Sequence, residues 1–179
     1  MKDFRVALVQ MDSQQNKEEN LRKMEERTSE AVQHGAVLVV FPETVEYIGP
    51  DMAGHASGVP GRITERFSDM ARKNGVWLHA GSITEKYEKK ARNLSMLFSP
   101  EGRCVASYRK LHMFDVTVED GPSYRESDEI LPGETVCLAD TDLGRLGLSI
   151  CYDLRFPQLY RLMADNGAEV LIVSANFTD

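Results

Sequence analysis

The sequence is poor in the features that mark several large classes of protein. Its three cysteines are widely spaced among 179 residues and form no Cys-x-x-Cys pair, which argues against a disulfide framework. None of its four histidines pairs with another at the spacing of metal ligands, so we expect no metal site. Apolar runs are too short to span a bilayer or to act as a signal peptide. These absences predict a protein of the reducing cytoplasm, with neither a membrane nor a metal as partner.

Basic charge and nucleotide-binding motifs are also scarce. The 21 lysines and arginines are outnumbered by 28 acidic residues, which gives a net charge of -7 at pH 7. Nucleic acids are bound by clustered basic side chains, so no nucleic-acid partner is expected. Glycine-rich phosphate loops and the Gly-x-Ser-x-Gly motif of serine hydrolases are missing from the sequence. We therefore expect a small-molecule partner and no cofactor.

The remaining composition predicts an ordinary globular domain. Hydrophobic residues make up 42% of the chain and charged residues 27%, and we expect residues 1–179 to form a single domain. Apolar residues recur at helical spacing in Lys17–Gln33 and at 63–75, and again at 157–166. Between the helices, apolar runs and turn residues predict an α/β fold with mixed sheets, whose strands lie at 4–10, 36–41, 76–81, 94–98, 105–108, 135–138, 145–150 and 170–175.

Two segments, 44–61 and 109–134, show no regular periodicity. The first contains Gly-Pro and Pro-Gly turns. A long irregular stretch inside a compact domain is more often functional than a linker. Both segments are therefore predicted to be loops, and the second to be a functional one.

Three polar residues stand where predicted strands end, namely Glu43, Lys110 and Cys151. Ligands of open α/β sheets gather at such ends. Each residue also has a structural interpretation, since a lone cysteine is usually a small core residue and a Glu or Lys past a strand is usually on the surface. Taken singly, none of them predicts a site.

Cys151 has the most suggestive position of the three. It follows the predicted strand 145–150 and precedes the predicted helix 157–166, so free backbone N–H groups and a helix dipole would favour a thiolate and hold an oxyanion. The other two cysteines, Cys104 and Cys137, fall in strand-like segments and are predicted to be buried structural thiols. A redox-sensing role is weak because no resolving cysteine lies near Cys151.

Three segments of the chain together resemble the signature segments of one family. They are Phe41-Pro42-Glu43, the stretch 108–115 (Tyr-Arg-Lys-Leu-His-Met-Phe-Asp) and the stretch 151–157 (Cys-Tyr-Asp-Leu-Arg-Phe-Pro). The family is the nitrilase (carbon-nitrogen hydrolase) superfamily. Within it, the residues of these segments most resemble those of Nit-type amidases of the omega-amidase and deaminated-glutathione amidase branch. The resemblance runs from residue 4 to the last residue. It implies a single carbon-nitrogen hydrolase domain with an α-β-β-α sandwich fold.

The resemblance also implies a catalytic triad of Glu43, Lys110 and Cys151. Glu126 matches a second glutamate that such enzymes keep near the lysine, and the backbone N–H of Tyr152 would complete an oxyanion hole with Lys110. The implied activity is hydrolysis of a small carboxylate-bearing amide, with release of ammonia through a cysteine thioester. These residue types suit that chemistry, because an unactivated amide needs a nucleophile better than water and a base to activate it.

Several expectations remain open beside this interpretation. The resemblance implies a homo-oligomer and a chain that lacks the carboxyl-terminal part of the family's domain, so the alternative is an inactive fragment that serves only as a folding or association module. His112 is expected to fix a loop by hydrogen bonding. Asp153 and Arg155 either bind a substrate carboxylate or make structural pairs around the nucleophile. Related branches act on nitriles or carbamoyl groups, or transfer acyl groups, so the exact substrate is open.

Overall fold

The computed structural model describes residues 3–117, 119, 121 and 123–177, and both helices and strands lie within this part of the chain. The helices are α1 (Lys17–Gln33), α2 (Arg62–Asn74) and α3 (Pro157–Asp165). The strands in chain order are β1 (Val6–Leu8), β2 (Leu38–Val40), β3 (Trp77–Tyr87), β4 (Lys90–Phe98), β5 (Cys104–Arg109), β6 (Asp115–Thr117), β7 (Ser123–Arg125), β8 (Cys137–Thr141), β9 (Gly144–Ile150) and β10 (Val170–Ser174).

The first two helices form where the sequence places apolar side chains on one face. Asn16 begins α1, because its side chain accepts the backbone N–H of Glu19 at 3.2 Å. Gly75 ends α2 in the left-handed conformation that suits glycine, with a φ of 60°. Both helices therefore begin and end close to their predicted limits. No helix among the described residues combines the length and apolarity that crossing a membrane needs.

The strands pair into mixed sheets, as predicted. The larger sheet has the order β1-β2-β3-β4-β5, with parallel pairing from β1 to β3 and antiparallel pairing from β3 to β5. A second sheet has the order β10-β9-β8, in which β9 is parallel to β10 and antiparallel to β8. The strands predicted at 94–98 and 105–108 therefore pair antiparallel with each other, as do those predicted at 135–138 and 145–150.

Strand β3 is longer than the sequence predicted, because it continues through an irregularity at Gly81 to Tyr87. Its register with β4 shifts between His79 and Ser82. Gly81 has a φ of 67°, and a Cβ placed there would lie 2.0 Å from the backbone oxygen of Pro42. Only glycine allows this close approach. The segment after β2 therefore packs directly on the sheet, which positions the neighbouring Glu43.

The two larger sheets face each other through an apolar core. Leu38, Trp77 and Leu97 of the five-stranded sheet pack in one cluster with residues such as Leu146 and Leu148 of β9. A second cluster fills the space between the five-stranded sheet and helices α1 and α2.

The outer face of the second sheet is covered by α3. A Cβ at Gly147 of β9 would lie 2.8 Å from the sulfur of Met163 in α3, and the Tyr160 hydroxyl donates to Ser149 Oγ at 3.0 Å. Side chains of β9 alternate between the core and this helix, as the period of a strand requires. The layers are thus helix, sheet, sheet and helix, and the predicted α-β-β-α sandwich is confirmed.

The stretch 109–134 is more ordered than predicted. It contains the hairpin formed by β6 and β7, followed by a short 3₁₀ helix at Glu126–Asp128. Each of these strands has three residues, which is too short for an alternating pattern to stand out in the sequence. The prediction of an irregular loop was therefore wrong for this part.

Candidate active site

Cys151 lies at the carboxyl end of β9, where the chain turns into a 3₁₀ helix spanning Cys151–Arg155. Its φ angle is 47°, in the left-handed region that residues other than glycine rarely occupy. Strained backbone of this kind persists where the surrounding structure holds it, and it concentrates at functional sites. The sequence predicted only α3 after the nucleophile, whereas in the structure the 3₁₀ helix separates the two.

Glu43 lies on the segment that follows β2 and is 7% exposed. Its Oε1 accepts hydrogen bonds from Asn93 Nδ2 at 2.8 Å and from Lys110 Nζ at 3.1 Å. Its Oε2 accepts the backbone N–H of Asn176 at 3.1 Å. Three donors, one within β4 and two that follow β5 and β10, therefore fix the orientation of this carboxylate.

Lys110 follows β5 and is 2% exposed. Its Nζ contacts Oε1 of Glu43 at 3.1 Å and the two oxygens of Glu126 at 3.1 and 3.0 Å. Burial by itself lowers the pKa of Lys110, but the negative charges of Glu43 and Glu126 outweigh it, and the pKa is raised. Lys110 is therefore an ammonium held between two carboxylates.

Glu126 begins the 3₁₀ helix that follows β7. In addition to Lys110, it accepts the backbone N–H of Phe114 at 2.6 Å. The hairpin of β6 and β7 is thereby tied to the lysine through one side chain. The structure places Glu126 beside Lys110, where the sequence predicted it, and its role in catalysis stays a prediction.

The acidity of Cys151 differs from what the sequence suggested. Burial raises the pKa of its thiol, the negative charge of Glu43 and a hydrogen bond to Glu43 raise it further, and Lys110 opposes them, with a result of about 12. The expectation of a thiolate stabilised by the strand end was therefore wrong for this structure. A neutral thiol at rest needs a base to remove its proton, and Glu43 is in position to be that base.

A cavity of about 770 Å³ opens over these side chains. The ring of Tyr152 packs edge-on against Phe114 and Phe156, with ring centroids 5.1 and 5.7 Å apart. The backbone N–H of Tyr152 stays a predicted oxyanion donor. All five residues that the sequence singled out as catalytic or supporting line this one cavity, namely Glu43, Lys110, Glu126, Cys151 and Tyr152.

Sequence reasoning missed two asparagines of the site. Asn93 and Asn176 both donate to Glu43, but the sequence presents them only as chance matches to a glycosylation sequon. A signal was present for each. Asn93 is an amide in a strand whose other inward residues are mostly apolar, and Asn176 follows the end of β10 in the way that Cys151 follows β9.

The remaining predicted residues are His112, Arg155 and the two other cysteines, Cys104 and Cys137. His112 is bonded to Asp153, which confirms its predicted part in fixing the loop, while Arg155 is exposed on the cavity wall and makes no ion pair with a described residue. Cys137 is half-buried, and Cys104 is exposed. The prediction of a buried thiol was wrong for Cys104, because it begins the edge strand β5 beyond a register shift.

The chain is similar to known proteins of one family. The family described as "Carbon-nitrogen hydrolase" matches residues 5–179. Deaminated glutathione amidase of Yersinia enterocolitica is 38% identical over 185 residues, which cover 99% of this chain and 64% of that protein. Omega-amidase NIT2 of Bos taurus is 35% identical over 179 residues, which cover 99% of this chain and 65% of the relative.

Solved structures give the same result for the fold. The crystal structure of Saccharomyces cerevisiae Nit3, a member of branch 10 of the nitrilase superfamily, is similar with a TM-score of 0.85 and 30% identity. The similarity covers 97% of this chain and 64% of Nit3. The chain thus spans less than two thirds of the length of these relatives.

Proposed function

Because the chain belongs to the carbon-nitrogen hydrolase family, we propose that the complete protein hydrolyses a small carboxylate-bearing amide and releases ammonia through a thioester on Cys151. The observation that carries the proposal is the meeting of Glu43, Lys110 and Cys151 in one cavity. Two of its relatives are named deaminated glutathione amidase and omega-amidase, which supports this class of substrate.

The first half of the proposed reaction forms the thioester. Glu43 takes the proton of the Cys151 thiol, and the sulfur attacks the amide carbon. Negative charge then develops on the amide oxygen, where the Lys110 ammonium and the Tyr152 N–H would stabilise it. The protonated Glu43 passes its proton to the amide nitrogen, the carbon-nitrogen bond breaks, and ammonia leaves.

The second half releases the acid. Glu43, again a carboxylate, takes a proton from a water molecule that attacks the thioester carbon. The carbon-sulfur bond breaks, the sulfur receives the proton, and the carboxylic acid product leaves with Cys151 restored as a thiol. One carboxyl group thereby serves both halves, which fits its orientation by Asn93 and Asn176.

The carboxylate of the proposed substrate has a partner in Arg155. This side chain lines the cavity four residues after Cys151 and makes no ion pair with any residue among 3–117, 119, 121 and 123–177. A guanidinium binds a carboxylate through two parallel hydrogen bonds. An exposed Arg155 on the cavity wall therefore supports a substrate with a carboxylate near the scissile amide.

The test is ammonia release by the complete protein from omega-amides, N-carbamoyl compounds and nitriles, with intact mass measured during turnover. We expect an acyl adduct on Cys151, and loss of ammonia release in Cys151→Ala and Glu43→Gln. The matched control is Cys104→Ala, which removes a thiol outside the cavity and should keep both activity and adduct. Full ammonia release by Cys151→Ala together with Glu43→Gln would end the proposal.

The carboxylate preference has a separate test. Arg155→Gln should raise the KM for an omega-amide acid by at least about tenfold and leave the KM of its methyl ester nearly unchanged, because a charged hydrogen bond is lost only with the acid. Arg161→Gln is the control, since Arg161 lies on α3 and does not line the cavity. An equal effect on acid and ester would contradict the assignment.

We also propose that the protein associates with a second copy of itself and that it resides in a reducing compartment such as the cytoplasm. All three cysteines are unpaired, which fits such a compartment. Leu154, Leu162 and Leu171 are 49%, 48% and 43% exposed around the outer layer, a feature that favours association. Analytical ultracentrifugation tests it, and a strict monomer would contradict it. If the chain served only as an association module, oligomers would form without any ammonia release.

A further inference from the structure

A buried carboxylate outside the cavity joins two distant segments of the chain. Asp153 is 0% exposed and does not line the cavity. Its Oδ2 accepts the backbone N–H of Ile150 at 2.9 Å and the hydroxyl of Tyr108 at 2.6 Å. Its Oδ1 accepts the backbone N–H of His112 at 3.1 Å and the ring Nδ1–H of the same residue at 2.7 Å. Four donors therefore converge on one side chain.

The two segments are those that carry the sulfur and the ammonium of the site. Cys151 lies in the nucleophile turn, residues 150–153, and Lys110 lies in the lysine segment, residues 108–112. Asp153 bonds to the first residue of the nucleophile turn and to the first and last residues of the lysine segment. One carboxylate thus sets the position of one segment against the other.

The same carboxylate closes the turn around the strained residue. Cys151 has its left-handed φ of 47° between Ile150, which donates to the Asp153 side chain, and Asp153 itself. Beyond the turn, Phe156 donates its N–H to the backbone oxygen of Asp153 at 2.9 Å, and its ring stacks on that of His112 at 3.6 Å between centroids. The strained backbone of Cys151 is therefore held by contacts of the residues before it and after it.

The donors suit an ionised acceptor. Burial raises the pKa of the Tyr108 hydroxyl, and the charge of Asp153 and the hydrogen bond to it raise it further, so the hydroxyl stays protonated and donates. Since an ionised carboxylate only accepts, Nδ1 of His112 carries the hydrogen in this contact. An amide at position 153 would place an NH₂ group against two of these donors, so one side of the network would open.

We propose that Asp153 is a positioning residue that holds the sulfur of Cys151 at a fixed place relative to Lys110 and Glu43. The inference rests on the proposed function for its effect on turnover, but its effect on the thiol is independent of any substrate. Asp153 acts through the backbone of the nucleophile turn and touches no substrate, because it lies outside the cavity wall.

The experiment measures the alkylation of Cys151 by iodoacetamide, in which the sulfur displaces iodide, as a function of pH. The complete protein is used in a Cys104→Ser background, and peptide mass spectrometry follows Cys151 alone. In Asp153→Asn we expect the midpoint of the pH profile to fall by more than about one unit toward that of a free thiol, because the sulfur leaves the carboxylate of Glu43. With an omega-amide, kcat should fall at least about tenfold and KM less than about threefold.

Ser149→Ala is the matched control. Its hydroxyl is buried two residues before Cys151 on the face of β9 that packs against α3, where it donates to Ile172 O at 2.9 Å and accepts from Tyr160. We expect this variant to lose thermal stability but to keep the parent alkylation profile. A purely structural role for Asp153 predicts that Asp153→Asn behaves like Ser149→Ala, and that result would overturn the proposal.

Tyr108→Phe is a second variant that tests the proposal even when Asp153→Asn does not fold. It removes one of the four donors and keeps the ring, so we expect a smaller shift in the same direction. An unchanged alkylation profile in a folded Tyr108→Phe, with Asp153→Asn unfolded, also counts against the proposal. Because alkylation needs no amide substrate, failure of the proposed function would leave this result standing.

Discussion

Two contrasting groups of buried ionisable side chains can be compared in this fold, a charged cluster at the cavity and the isolated residues Glu46 and His79 away from it. At the cavity, Lys110 lies between Glu43 and Glu126, and its pKa is raised despite its burial. Away from the cavity, Glu46 and His79 are both 0% exposed, and neither forms an ion pair with another of the described residues, although Lys17 acts on Glu46 from a distance. Burial raises the pKa of Glu46 to about 7, although the backbone N–H of Thr84 opposes it, and lowers that of His79 to about 4.

The comparison separates the effect of burial on the charge of a side chain from the effect of an opposite charge in contact with it. Dehydration disfavours charge in both sets, but a partner in contact reverses the outcome. Glu46 and His79 are therefore driven toward their neutral forms, whereas Lys110 keeps its charge. A cluster that stays ionised while buried is of use to a reaction that develops charge, and isolated buried groups contribute a dependence of stability on pH instead.

The largest expected effect comes from removing the charge that holds the cavity cluster together. Lys110→Met leaves Glu43 and Glu126 facing each other without the ammonium, and loss of one partner of a buried ion pair costs about 3 to 5 kcal/mol of unfolding free energy. Urea unfolding measures this loss. Removing the second glutamate in Lys110→Met/Glu126→Gln should restore part of it.

Arg22→Met is the control for that measurement. Arg22 contacts Glu19 and Glu26 on the solvent face of α1, where water and salt screen the pairs. We expect this variant to unfold at nearly the parent urea concentration. If Lys110→Met cost no more than Arg22→Met, the cavity cluster would be no different from a surface ion pair, and the comparison would fail.

The cavity cluster was largely predictable from the sequence, and the isolated groups were not. Glu43, Lys110 and Cys151 stand at strand ends within recognisable segments, so the topology of an α/β fold brings them to one place. Asn93 stands out as an amide in a mostly apolar strand, but the sequence does not show which neighbour it contacts. Burial of a polar residue is equally hard to predict. Glu46 follows Glu43 by three residues, and nothing in the sequence indicates that it is inaccessible to water.

The fold divides in a similar way. Helices α1 and α2 and the hairpin of β4 and β5 follow from periodicity and turn residues, which are local properties. The continuation of β3 past Gly81 depends on the approach of Pro42 from the segment after β2, and the raised pKa of Cys151 depends on burial and on the nearby Glu43. Both are contacts between distant parts of the chain, which sequence patterns do not report.

A smaller effect is expected at Glu46, and its sign depends on pH. Its folded pKa of about 7 lies above the ordinary value of 4.5, so the folded protein keeps a proton that the unfolded chain loses, and stability falls as pH rises through this interval. Glu46→Gln stays neutral and keeps an acceptor for Thr84 N–H. We expect it to exceed the parent stability by about 3 kcal/mol near pH 8 and by less than about 1 kcal/mol near pH 5.

Urea unfolding at these two pH values measures the difference. The control is Glu65→Gln, which neutralises an exposed carboxylate on α2 and should give the same change in stability at both. A Glu46→Gln curve parallel to the parent across this range would show that the buried carboxyl is already charged in the folded protein. The distinction between paired and isolated groups would then be lost.

The smallest of the three effects belongs to His79 and has the opposite sign. Its ring contacts Ser95 Oγ through Nε2 at 2.8 Å and Ser174 Oγ through Nδ1 at 3.4 Å, so it joins the two sheets while neutral. The folded pKa of about 4 lies below the ordinary 6.5, so the unfolded chain takes up a proton first, and stability is lost as pH falls through this interval. Between about pH 7.5 and pH 5 the loss should be about 2 kcal/mol.

Because Glu46 acts in the opposite direction over the same range, the His79 effect is best measured in the Glu46→Gln background. There, His79→Gln should remove the loss of stability on acidification, whatever its effect at neutral pH, while His34→Gln on the surface should leave it in place. Equal acid slopes in the two variants would mean that His79 is protonated without cost inside the fold. Burial without a charged partner would then not explain why this histidine is neutral.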